Sequence, residues 1–273
     1  MLSGKGNIGV LPITGVILDS TKALKELKAL EENDDIKGVI VRINSPGGAV
    51  APSQEIYDAV KRLRKTKPVI ASFDSVAASG GYYIAVGAEK IITNPGSMTG
   101  SIGVIMDFVN LAELYKWAKV DRFNIKSGKF KDIGTENRPM TADEKAVMQG
   151  MILNVYEQFV TAVAEGRKMP KEKVKELADG RAYTGDQAVK LGLADKLGGM
   201  DFAVETMKEM AKIKGKPELV YPDEKRNRFL EVFTESIANG IIRGVANGLG
   251  LQLNDANQSQ LSTHGNGKML FFL

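Results

Sequence analysis

A chain of 273 residues with 43% hydrophobic and 26% charged side chains is long enough to bury a sizeable core, and it has the composition of a globular protein, not of a disordered or fibrous one. Its 37 basic and 33 acidic residues leave a net charge of +4, too weak and too mixed to point to nucleic acid. It has no cysteine, which excludes thiol nucleophiles, thiolate zinc sites and disulfides, and no uninterrupted apolar run approaches the ~20 residues that span a bilayer.

Residues 8–18 are rich in Val and Ile, are broken by Pro12 and Gly15, and predict extended structure leading into the domain. Ser20 is placed to cap a helix carrying Ala23, Leu24, Leu27 and Leu30 at helical spacing and ending at Asn33-Asp34-Asp35. Gly38 to Ile43 is a β-branched run of the kind found in a buried strand, followed by an Asn44-Ser45-Pro46-Gly47-Gly48 loop. A second helix then sets Ile56, Ala59, Val60 and Leu63 on one face, and its basic end, Lys61 to Lys67, reads as a solvated helix C-terminus.

Val69 to Phe73 repeats the strand pattern, and Ala77 to Ala85 follows as a helix start. Strands alternating with helices predict repeated βαβ units and a largely parallel sheet, with chemistry at the carboxyl ends of the strands. Further on, Thr141 with Glu144 has the spacing of a capping box, opening a long helix through Val147, Met148, Met151, Ile152, Val155, Phe159 and Val163 that is expected to close at Gly166. Its apolar stripe reads as core or subunit interface. Another helix covers about 202–213.

Residues 224–253 carry Phe229, Val232, Phe233, Ile237, Ile241 and Val245, with Gly240, Gly244 and Gly248 spaced four apart on one helix face. Their charges favour packing at an oligomer contact over membrane insertion. The polar run 254–268 is expected to be flexible. The expected division is therefore a catalytic domain over 1–221, a helical C-terminal extension over 222–253 and a tail over 254–273. The tail ends in an apolar string, Met269 to Leu273, that could enter an active site and be trimmed.

The sequence narrows the chemistry mainly by elimination. Its single histidine, His264, lies in the polar tail, so a Ser-His-Asp triad and histidine-based zinc sites both lack their parts. No phosphate-binding glycine motif follows a predicted strand, so no cofactor is expected. Lysine is the next side chain able to act as a base. A free amine with a pKa of about 10.4 is neutral only ~0.04% of the time at pH 7, so such a lysine must be desolvated.

Ser79 sits between Ala78 and Gly80-Gly81, where small neighbours admit a substrate backbone and a helix start would face the strand ends. Taken alone, Ser-Gly-Gly reads first as an ordinary N-cap. The Asn44 to Gly48 loop precedes it by one βαβ unit, so the two loops would be neighbours able to aim amides at an oxyanion.

The order of four segments resembles signal peptide peptidase A: Asn44 to Gly48; Ala77 to Tyr83; Thr99-Gly100-Ser101-Ile102-Gly103-Val104; and Ser127-Gly128-Lys129-Phe130-Lys131. Ile8 to Ile17 and Gly180-Arg181-Ala182-Tyr183-Thr184-Gly185 are similar to that family too, so the resemblance covers about 8–213. It implies an α/β fold of the ClpP/crotonase type with a C-terminal helical extension. It further implies a serine endopeptidase with Ser79 as nucleophile, Lys131 as general base with Lys129 as the rival, and Ser101 as the hydroxyl orienting that lysine. Amides of Gly47 or Gly48, with Gly80, would form the oxyanion hole.

Members of the family are membrane-anchored homo-oligomers with active sites near subunit interfaces, and in short bacterial forms the lysine can reach the serine of a neighbouring subunit. Substrates are then expected to be unfolded, apolar peptides such as signal peptide remnants at the bacterial membrane, with the N-terminal anchor outside this sequence and the remaining fragment soluble. A crotonase-like enzyme acting on acyl-CoA and a non-catalytic membrane scaffold are the competing readings.

Overall fold

The computed structural model describes residues 2–3 and 6–222, so the expected helical extension and tail lie outside the described residues. These residues divide into two compact units. In the smaller, β1 (Leu2–Ser3) pairs antiparallel with Tyr221 and Pro222. The larger, residues 6–220, carries the rest of the strands and all the described helices.

Its first half begins with the alternation that the sequence predicts, β2 (Ile8–Thr14), α1 (Thr21–Glu32), β3 (Gly38–Ser45), α2 (Val50–Leu63), β4 (Val69–Ala78) and α3 (Gly80–Ala85), and continues with β5 (Lys90–Thr93). Then follow β6 (Met98–Gly100), α4 (Ala112–Trp117), α5 (Ala142–Arg167), α6 (Lys171–Leu177), β7 (Ala182–Thr184), α7 (Gly185–Lys190), β8 (Lys196–Leu197), α8 (Met200–Met210) and β9 (Leu219–Pro222). Strands β2, β3, β4, β5 and β8 pair in that order, all parallel, and Leu219 and Val220 of β9 extend the sheet beside β2. Parallel strands covered on both faces must be apolar on both. Accordingly Val39, Ile40, Val41 and Ile43 of β3 are all fully buried. Ile8, Ile40, Ile70 and Ile92, one from each of four strands, pack with Ala203 and Met207 of α8. On α1, Ala23, Leu27 and Leu30 are buried, as their spacing requires.

The departure that matters for the site is in β4. It extends five residues beyond the predicted end at Phe73, and its register against β3 slips: Ile43 faces Phe73, but Ser45 faces Ala77. The extra residues form a bulge, which bends a strand and redirects the residues beyond it. Its polar groups are met by side chains. Arg42 donates to the Phe73 carbonyl (2.8 Å) and pairs with Asp74 (3.0 Å), Asn94 donates to Phe73 O (3.2 Å), and Ser97 donates to Asp74 O. Before the bulge β4 pairs with β5; after it, Val76–Ala78 pairs with β6, which in turn pairs antiparallel with β7. Ser79 lies at the end of this redirected piece.

Three local expectations are corrected. Ser20 occupies the N-cap position of α1 but makes no cap hydrogen bond: its hydroxyl goes to Glu55, and Asp19 takes the Thr21 N–H instead (2.9 Å). Helix α5 has the predicted capping box but runs past Gly166 to Arg167, with Lys168 in the left-handed region (φ 53°). Gly166 is there for close approach, since a Cβ would lie 2.3 Å from the Val86 carbonyl oxygen. The final helix, expected at about 202–213, spans Met200–Met210.

Candidate active site

Ser79 is the hinge between β4 and α3, with φ 54° and ψ −119°, a backbone conformation that costs a non-glycine residue about 1–3 kcal/mol. It is held there from both sides. Its N–H donates to Gly100 O (2.8 Å), and its carbonyl accepts the Tyr83 N–H (2.9 Å). The side chain is 5% exposed, and its hydroxyl donates to none of the described residues. The sharp turn aims that hydroxyl into a cavity of about 490 Å³ at the carboxyl ends of the strands.

Ser101 lines the same cavity and is likewise at positive φ (50°), its N–H donating to Arg181 O (2.9 Å). Most of the remaining wall is apolar, with Val104 and Ile105 on one side and Ile152, Leu153 and Tyr156 of α5 on another. The sequence reads the α5 stripe as core or subunit interface. Phe159 and Val163 are core, and so is Met148, but Ile152 of the stripe lines the cavity with its neighbours Leu153 and Tyr156.

The three predicted glycines meet beside Ser79. A Cβ on Gly80 would lie 3.3 Å from both Gly47 Cα and Gly48 N, and 2.5 Å from Ser53 Oγ. The Gly47 N–H is already used, donating to Ser45 Oγ (3.1 Å). Ile17 grips the loop from outside, donating to Gly47 O (2.9 Å) and accepting from Ala49 N–H (2.7 Å). Between these anchors the Gly48 N–H has no partner among the described residues, and the first-turn N–H of Gly80 has none either. Two neighbouring, unengaged amides beside a buried hydroxyl have the makings of an oxyanion hole.

Lys131 is not brought to this point within the chain. It is exposed and absent from the cavity wall, as is Lys129, whose ammonium pairs with Asp143. The segment that carries both is braced by Lys126 to Asp132 (2.5 Å), by Arg138 to Asp132 (3.1 Å), and by Arg138 to Glu144 (2.5 and 2.8 Å). A second hollow of about 530 Å³, between α2 and α5, is bridged by Lys61–Glu165 and Gln54–Gln158 and holds none of the predicted residues. Among the described residues there is no group of three or more His, Asp or Glu able to hold a metal ion.

The sequence signature of peptidase family S49 matches residues 61–214, which includes Ser79, Ser101 and Lys131. The chain belongs to peptidase family S49. It is a serine protease of that family, and the Clp protease signature over residues 15–99 agrees with the ClpP/crotonase-like sheet. Among similar proteins, the Synechocystis sp. protein named "Putative protease slr0021" is 46% identical over 198 residues, 72% of this chain and 71% of its own. The Enterococcus faecium "Putative signal peptide peptidase SppA" is 36% identical across 78% of this chain and 66% of its own. The Arabidopsis thaliana "Serine protease SPPA, chloroplastic" is 36% identical across 75% of this chain and 30% of its own length.

Proposed function

We propose that Ser79 is the nucleophile and Lys131 the general base of an S49 endopeptidase that cuts unfolded, apolar peptides, cleaved signal peptides among them, and that the lysine serving each cavity comes from a neighbouring copy. The observation that carries this reading is the pairing of a buried, strained serine beside two unengaged amides with a lysine that stays outside its own chain's cavity.

The mechanism follows from these groups. Neutral Lys131 takes the proton of the Ser79 hydroxyl as its oxygen attacks the peptide carbonyl. The Gly48 and Gly80 amides then stabilise the negative charge that develops on the carbonyl oxygen, and Ser101 holds the amine in line. Lysine returns the proton to the leaving amine, and water, deprotonated by the same amine, releases the acyl group. Seated in a neighbour's cavity the amine leaves water, the condition under which lysine gives up its proton.

Assembly is supported by the segment between Ser101 and Lys131. Trp117 is 81% exposed, Phe123 79% and Ile125 95%, and helix α4 buries none of its residues. Apolar side chains clustered in this way mark a surface that another chain covers. A ring of copies with sites on the inside would exclude folded proteins. None of the described helices is long and apolar enough to cross a membrane, so we place the membrane anchor outside the described residues.

The test is complementation. Ser79→Ala and Lys131→Ala should each abolish cleavage of a fluorogenic apolar peptide, and mixed oligomers of the two should recover activity. Full activity in either single variant refutes the dyad, and inactive mixed oligomers refute the neighbour's role. Tight binding of CoA would favour the crotonase-like alternative.

A further inference from the structure

Among the described residues, the wall of the cavity beside Ser79 carries one charged side chain, Asp179, among apolar and small residues. Arg181 grips that carboxylate. Its Nε donates to both oxygens at 2.8 Å, its Nη2 to Oδ2, and its backbone N–H to Oδ1 at 3.1 Å. The guanidinium hydrogen bonds hold the Asp179 carboxyl at about 2, so it is ionised at any pH where the enzyme works. Arg181 does not itself line the cavity.

The backbone fixes this pair relative to the serines. Arg181 O accepts the Ser101 N–H, Gly180 N–H donates to Ile102 O (3.1 Å), and Ala182 stands opposite Gly100 in the β6–β7 register. Tyr183 OH donates to Leu177 O (3.0 Å), closing the turn that carries Asp179. None of these bonds uses the Arg181 side chain, so the backbone that carries Asp179 does not depend on it.

A bare carboxylate on the wall of an apolar cavity attracts a lysine or arginine side chain and repels an acidic one, whereas a carboxylate already paired does neither. We propose that the Asp179–Arg181 pair sets which substrate side chain this cavity takes: Arg181 masks the carboxylate, and the cavity therefore selects an uncharged apolar side chain. The proposal rests on the reading of Ser79 as nucleophile and deepens it by naming two specificity-determining residues.

The experiment uses the full chain and two fluorogenic peptides that differ only in Leu or Lys at the residue whose carbonyl is attacked. The wild type should prefer Leu. In Arg181→Ala the Leu-to-Lys ratio of kcat/KM should fall at least tenfold, chiefly through faster cleavage of the Lys peptide, and the gain should shrink at high salt. Arg181→Gln, which keeps a donor for the turn, should show the same fall. Arg181→Lys should keep the wild-type ratio, and the double variant Asp179→Asn/Arg181→Ala should return to it. A change smaller than tenfold in both Arg181→Ala and Arg181→Gln overturns the proposal, as does a fall that the double variant retains, because loosened structure would then be the cause. If Ser79→Ala cleaves both peptides as the wild type does, the reading of the nucleophile falls and this proposal with it.

Discussion

The Ser79 N–H donates to the carbonyl of Gly100, the residue that precedes Ser101, and both serines hold positive φ, 54° and 50°. One strand end thus supports two strained turns that open on one cavity. Strain of this kind persists only where the surroundings over-determine it. Here they do so through β4–β6 pairing on one side and the Arg181 carbonyl on the other.

That strain is measurable. Glycine accepts the Ser79 conformation freely, while alanine keeps the Cβ that opposes it. Ser79→Gly and Ser79→Ala should both be inactive, yet the glycine variant should be the more stable by roughly 1 kcal/mol in urea unfolding, even after the extra chain entropy that glycine loses on folding. Equal stability would show that the turn is relaxed.

Gly80 probes the oxyanion hole. A Cβ there would press on Ser53 Oγ at 2.5 Å and on the Gly47–Gly48 backbone at 3.3 Å. Ser53 is buried and bonded to Ala49 O (2.9 Å), so it yields little and the glycine loop must move. Gly80→Ala should lower kcat by about 10²-fold with KM little changed, as expected when one oxyanion donor is misplaced. Steady-state kinetics on a fluorogenic peptide would check this, and a KM effect alone would count against Gly48 as a donor.

Legibility followed physical range. The βαβ order and the buried strands are written in local apolar periodicity, so β2 to α3 could be read with errors of a few residues. Ser79, Gly47, Gly48 and Gly80 stood out as candidates because close approaches demand small residues in a short stretch, but Ser-Gly-Gly taken alone reads as an N-cap, and the resemblance supplied the roles. The β4 bulge was not, since it is stabilised by Arg42, Asn94 and Ser97, which come from other parts of the chain. Nor was the role of Ile152 and Tyr156, because periodicity shows that a helix has an apolar face without showing what that face meets. For Lys131, one exposed lysine among many, the residues alone gave no signal; only the resemblance singled it out.

Gly166 separates helix propensity from packing. Alanine is favoured over glycine inside a helix by about 1 kcal/mol, so propensity alone predicts that Gly166→Ala stabilises the protein. A Cβ at that position, however, would sit 2.3 Å from a backbone oxygen of Val86, and backbone cannot rotate away. Overpacking of this kind costs about 1–3 kcal/mol before the displaced α3–α5 contact is counted. The variant should be destabilised by up to roughly 2 kcal/mol in chemical denaturation, the overpacking cost set against the propensity gain. A rise in stability would mean that α5 shifts freely.

The brace under the Lys131 segment should set part of the acid limb of stability. Glu144 is 3% exposed and accepts two hydrogen bonds from Arg138 and one from the Thr141 N–H (2.8 Å). The Arg138 bonds first, and the Thr141 N–H second, hold its carboxyl at about 2, below the ordinary 4.5. A carboxyl depressed by folding adds stability that is fully present above its unfolded value and disappears as pH falls through the folded one. The thermal midpoint of the wild type should therefore drop between pH 4.5 and 2. Glu144→Gln should start lower at pH 7 and fall less steeply across that window, because the group that takes up the proton is gone. Since Arg138 also pairs with Asp132, which follows Lys131 directly, the same variant should lose peptide cleavage in proportion to its loosened segment. Parallel pH slopes for wild type and Glu144→Gln would place the acid sensitivity elsewhere in the fold.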